Sequence, residues 1–364
     1  MAAATERIGL IATASTTYSY PWSLARALGT LDHLSRGRAG WNIVTTAPRA
    51  AARNHGLDES PDPATRYQRA DEYVDAVLRL WDSWEDDAIR LDRGAGRYVD
   101  PAKIHPPRVD GRFVTVEGPL TSPRPPQGYP VLVQAGSSNP GRAFAATYAE
   151  AIFTAQQQLE DAQRFFTDIK KRTADAGRDP EHVKILPGIS PFIGSTETEA
   201  KALEREFNEL TSVEFGLIQL EDFAGAKADP AGLDEPVPLE LFAGAGNVDD
   251  NTWSRRQVVA GIVERERPTL RQLLHRLAGA RGHRVVVGTP EQVADAMEEW
   301  FVQGAADGFN VMPPYLPGGL ETFTGTVVPI LRERGLFREG YTGHTLREHL
   351  GLPRPGNRHV EPPG

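Results

Sequence analysis

The 364-residue chain contains no cysteine, which excludes disulfides, thiolate metal sites and a cysteine nucleophile. No apolar run approaches the roughly 20 residues that a membrane-spanning helix needs. The opening Met1-Ala2-Ala3-Ala4-Thr5-Glu6-Arg7 lacks the basic stretch and apolar core of a secretory signal, so a cytoplasmic location is expected. Positive charge is also short: 40 basic side chains stand against 49 acidic ones, net −9. That balance offers no field to gather nucleic acid or an anionic membrane, and an anionic cofactor would need a local, built pocket. Gly94-Ala95-Gly96 and Gly244-Ala245-Gly246 do not complete G-x-G-x-x-G, so no nicotinamide dinucleotide fold is encoded. There is no Walker loop and no H-E-x-x-H, and the 9 histidines show no metal-ligand spacing.

What the chain has is an alternation of short apolar runs and amphipathic stretches. Ile8 to Ala14 reads as a strand and Trp22 to Leu34 as a helix; Gly40 to Thr45 reads as a second strand and Arg66 to Trp84 as a second helix. After a Pro/Gly-rich insertion from Arg93 to Pro130, with a hairpin expected at Gly111 to Gly118, the pattern resumes. Strand Pro130 to Ala135, helix Gly141 to Tyr148, strand Ala151 to Ala155, helix Leu159 to Ala176 and strand Val183 to Ile189 point to an α/β fold with a parallel sheet. Residues Pro191 to Arg284 read as a helical excursion on one face, with loops near Gly225 to Pro230 and Phe242 to Asn247. Thr289 and Pro290 open a helix to Gln303, Gly308 to Pro313 is the last strand, and two helices follow. One domain over residues 1–351 is expected, with Leu352 to Gly364 as a disordered tail.

Two strand ends carry polar side chains. Asn42 and Thr45 close an otherwise apolar strand, where a buried amide must satisfy either neighbouring backbone or a ligand. Thr13 ends the first strand in the same way. Gly136-Ser137-Ser138-Asn139-Pro140 lies between a strand and a helix, with Asn139 read as N-cap and Pro140 as first helical residue. Free N–H groups, the helix dipole and two hydroxyls make it a candidate phosphate cradle, or simply a capped helix. Tyr67, early in its helix, either reaches the same pocket or packs.

The runs Ile8 to Tyr18, Leu31 to Thr46, Leu80-Trp81-Asp82-Ser83-Trp84 and Val133 to Ser138 closely resemble the bacterial luciferase-like flavin monooxygenases. Within these they resemble the group of nitrilotriacetate, dibenzothiophene sulfone and long-chain alkane monooxygenases. The resemblance implies a TIM-like (β/α)8 barrel that takes reduced FMN from a separate NAD(P)H-dependent flavin reductase. There the flavin reacts with O₂ to give a C4a-(hydro)peroxide that oxygenates a small organic substrate. It implies that Thr13 and Asn42 contact the ring region, that Thr45 lines the same wall, and that Tyr67, Ser137 and Ser138 hold the phosphate. It assigns no catalytic residue and no metal, and leaves assembly into a homo-oligomer open. Pro63 stands where the family commonly has a flavin-contacting His. The family also has about ninety residues ahead of the strand beginning here at Ile8, including two barrel strands and a flavin-contacting Asp. About six of the eight barrel strands are therefore expected here. A non-catalytic truncated paralogue or gene fragment is the alternative reading, with a phosphate-ligand hydrolase or lyase on a similar barrel a third.

Overall fold

The computed structural model describes residues 1–243, 250–280 and 282–360. Gly244 to Asn247 of one expected loop and Glu361 to Gly364 of the expected tail lie outside them. Seven strands form one parallel sheet: β1 (Leu10–Ser15), β2 (Ala39–Val44), β3 (Val131–Gln134), β4 (Ala151–Thr154), β5 (Lys184–Ile193), β6 (Arg284–Gly288) and β7 (Asn310–Val311). They run in the order β1-β2-β3-β4-β5-β6, with β7 also paired to β5. Helices α1 (Pro21–Leu34), α2 (Pro63–Trp81), α3 (Asn139–Tyr148) and α4 (Leu159–Asp175) fill the crossovers. This is a parallel half-barrel, the arrangement expected of a (β/α) barrel. Among the described residues, no strand pairs with the outer edge of β1.

The outer face of the sheet is the main core, where Trp41, Ile43 and Leu132 meet Tyr73, Val77, Leu80 and Trp81 of α2. Both indoles are buried yet satisfied at their polar tips: Trp41 Nε1 donates to the Ala14 carbonyl at 3.0 Å and Trp81 Nε1 to that of Ala25 at 2.9 Å. Because side chains alternate along a strand, the residues between these core positions face the other way. On that inner face Val131, Val133 and Ala151 pack against Leu346 and Leu352, which the chain brings back at its end.

Four expectations change. β5 continues through Pro191 to Ile193, because its two halves use different partners: Ala151–Thr154 of β4 first, then β6 from Ile189 onward. β6 itself was not foreseen, since four residues of the run Arg284-Val285-Val286-Val287 give too short a signal against the helical stretch before it. The helical excursion has an apolar centre of its own, built from Leu220, Val237, Ile262, Val263, Leu273 and Leu274. Finally, the segment after Leu352 is not loose as far as Val360. Leu352 is buried, Arg124 Nη2 donates to the carbonyls of Pro355 and Gly356, and Asn357 Nδ2 donates to those of Asp82 and Trp84. A proline-rich stretch forms no hydrogen bonds of its own, but its carbonyls are good acceptors for a partner already in place.

Candidate functional site

The carboxyl ends of β1, β2 and β3 converge by register. Thr13 pairs with Asn42, and Asn42 with Val133 on the next strand, so the turn after Gln134 rises directly beside the end of β2. Asn42 Nδ2 donates to Thr13 Oγ1 at 3.1 Å. Its Oδ1 is buried and has no hydrogen-bond partner, a costly state for an amide oxygen unless something else donates to it. Thr45 stands one residue beyond β2 at the same edge.

The β3–α3 turn differs in detail from its sequence reading. The N-cap is Ser138, not Asn139: its hydroxyl accepts from Gly141 N at 3.2 Å, which places Asn139 and Pro140 inside the first turn. Asn139 and Ser138 are both good caps, and the chain geometry after Gly136 decides between them. Arg142 Nε donates to the Ser137 carbonyl at 2.9 Å, and Asp168 holds the far side of that guanidinium at 3.1 Å. The pair of hydrogen bonds fixes the turn from both sides. Tyr67 arrives from α2: its ring meets Phe144 at 6.0 Å, and a Cβ added to Gly141 would lie 2.9 Å from its hydroxyl. Tyr67, Ser137 and Ser138 are thus brought together at the positive end of α3, where anions bind. The Thr13–Asn42 pair stands on the two strands preceding β3 in the sheet, and Thr45 one residue beyond β2.

α2 begins three residues before its sequence estimate, at Pro63, with the Asp62 carboxylate capping Thr65 N. The missed cap hid two features. Arg66 falls in the first full turn and is only 4% exposed. On the face Arg66, Arg69, Tyr73, the last two grip the loop after β1: Arg69 donates to the carbonyls of Thr16 and Ser19, and to that of Phe113 in the insertion, and the Tyr73 and Ser19 hydroxyls lie 2.7 Å apart. Burial pushes the Tyr73 phenol up to about 12, so it stays protonated. Gln134 was also missed: it is 6% exposed, its Oε1 is unpartnered among the described residues, and its Nε2 leaves no room for a Cβ on Gly136. The signal that marked Asn42, an amide closing an apolar strand, is present at Gln134 as well and could have found it. A further cavity of 550 Å³ runs from Ser137 and Arg142 past Gln156 and Phe165 to Arg265 of the excursion. No helix among the described residues is long and apolar enough to cross a membrane.

Comparison with known proteins bears on the family and the fold. Residues 1–308 match the model of the luciferase-like monooxygenases. Nitrilotriacetate monooxygenase component A of Aminobacter aminovorans is 47% identical over 363 residues, a match covering 100% of this chain and 79% of that protein. N-acetyl-S-(2-succino)cysteine monooxygenase of Bacillus subtilis (strain 168) is 48% identical, covering 99% of this chain and 81% of its own length. Among solved structures, a riboflavin lyase with modified FMN and riboflavin has a TM-score of 0.85 at 34% identity, over 98% of this chain and 78% of that one. The chain belongs to the luciferase-like monooxygenase family, and is an oxidoreductase.

Proposed function

We propose that this chain is the oxygenating component of a two-component monooxygenase, using reduced FMN from a separate NAD(P)H-dependent flavin reductase and O₂ to oxygenate a small organic substrate. The observation that carries the reading is Asn42 Oδ1, buried without a partner beside Thr13 at the carboxyl edge of the sheet. A flavin ring has N–H groups to donate to such an oxygen, and the α3 terminus beside it suits the phosphate. The residues present therefore fit FMN. Ser137, Ser138 and Tyr67 would hold the phosphate, Thr13 and Asn42 would orient the ring, and Thr45 would line the wall. When bound, the reduced cofactor supplies the electrons that activate O₂. The chain's part is to hold the ring in one orientation and keep water from the reacting face. The name "component A" of the Aminobacter relative fits a partner reductase, as does the absence of a dinucleotide fingerprint in the sequence. Both of the relatives named above act on carboxylate-bearing compounds, which makes nitrilotriacetate the first substrate to try.

The test is NADH consumption and product formation by the purified chain, with and without a flavin reductase and FMN. Turnover is expected only with both present. Stoichiometric NADH oxidation by the chain alone, or no binding of reduced FMN under anaerobic conditions, would overturn the reading.

A further inference from the structure

Arginines that this fold buries for structural reasons are well supplied with acceptors. Arg38 donates to the carbonyls of Ala2, Thr5, Ile8 and Ser35, and Arg124 to Asp82 and to two carbonyls. On α2, Arg69 reaches three main-chain carbonyls. Arg66, one turn earlier on the same face, is different. Its side chain is buried; among the described residues its Nε has no hydrogen-bond partner, and its one side-chain hydrogen bond is from Nη1 to Ser60 Oγ at the long distance of 3.5 Å. No carboxylate among the described residues forms an ion pair with it. A guanidinium taken out of water without an anion or a full set of acceptors is strongly unfavourable, and folds keep such groups where a ligand completes them.

The place is informative. Arg66 precedes Tyr67, whose hydroxyl faces the α3 terminus at Gly141. Its neighbour Ser60 accepts from Tyr18 Oη at 3.3 Å, and Tyr18 lies in the loop that leaves β1 at the carboxyl edge. A planar fork of N–H donors at such a point matches an oxyanion. We infer that Arg66 is an anion-binding residue of the site, its guanidinium paired in the loaded protein with an oxyanion of a bound molecule, a phosphate or a carboxylate. The phosphate would be that of the cofactor and the carboxylate that of the substrate, so the inference rests on the function proposed above.

The experiment compares wild type, Arg66→Gln and Arg66→Lys, with circular dichroism and thermal melting to establish that each folds. Anaerobic titrations use reduced FMN, reduced riboflavin, inorganic phosphate and nitrilotriacetate. For Arg66→Gln, affinity is expected to fall by about 10- to 100-fold for at least one oxyanion-bearing probe, the range of one charge-assisted pair. Riboflavin should be unaffected, and Arg66→Lys should recover part of the loss. Loss confined to FMN and inorganic phosphate assigns the cofactor; loss confined to nitrilotriacetate assigns the substrate. The inference is overturned if every probe binds Arg66→Gln as it binds wild type, if riboflavin weakens as much as FMN, or if wild type binds none of the oxyanions. Failure of wild type to bind reduced FMN while Arg66-dependent phosphate binding persists would instead sink the monooxygenase reading alone.

Discussion

Asn42 shows how one side chain can be judged against its alternatives. As a structural group it contributes a single 3.1 Å hydrogen bond to Thr13 and leaves its oxygen unsatisfied. A purely structural residue at that position would do better as leucine, which fits a mostly apolar strand and strands no acceptor. Asn42→Leu is therefore expected to change the stability of the unliganded protein by no more than about 1 kcal/mol. Affinity for reduced flavin should fall by roughly tenfold, the worth of one well-placed hydrogen bond. Calorimetric melting with an anaerobic flavin titration reads both quantities, and an unchanged flavin affinity would remove Asn42 from the site. The sequence could raise this question but not settle it, because whether an amide finds backbone partners depends on the register with β1. Arg66 and Gln134 were hidden likewise, since their burial depends on how the elements pack.

At the scale of elements, strand and helix alternation was legible from apolar periodicity, and the β3–α3 turn was found from its small polar residues. Less visible was how closely that turn is folded. A Cβ on Gly141 would stand 2.9 Å from Tyr67 Oη and 3.1 Å from Gly136 Cα. The tyrosine could yield, but the Gly136 backbone cannot without moving α3 off the end of β3. Alanine is a better helix former than glycine by about 1 kcal/mol, so two effects oppose each other. Overpacking against backbone is the larger, and Gly141→Ala is expected to destabilise by on the order of 1–3 kcal/mol. It should also weaken FMN binding more than riboflavin binding, because the phosphate end is what moves. Gly325→Ala is the control, since nothing lies within 4 Å of a Cβ there; it should be neutral or stabilising. If both variants behave alike in chemical denaturation, close approach at Gly141 is not what the turn requires.

For the whole molecule, the last described residues tie distant parts of the chain together. Leu346 and Leu352 enter the inner face of the sheet, and Arg354 and Arg358 form ion pairs with Asp86 and Asp82. Its wealth of proline and glycine made this segment read as disordered, but its partners, Asp82 and Asp86 above all, were placed by α2 and the loop after it. At its end the His359 ring stacks on His105 with centroids 4.0 Å apart. Burial, then the neighbouring His105, lower the His359 pKa below the usual 6.5, with Arg358 adding to the effect and Asp82 and Glu85 opposing it. The sign follows from linkage: the folded form binds a proton less readily than the unfolded form, so stability rises with pH across the transition. The contribution of His359 is complete above 6.5 and is lost as pH falls through its lower folded value. The 353–360 segment should therefore be well protected at about pH 7.5 and less so at about pH 5.5, the range in which histidines titrate. Amide-exchange protection factors, corrected for the intrinsic pH dependence, measure this directly. His359→Phe keeps a ring on His105 but removes the His359 titration, so its protection should depend less on pH. Equal protection of the wild-type segment at both pH values would show that the ion pairs at Asp82 and Asp86 hold it without help from the histidine stack.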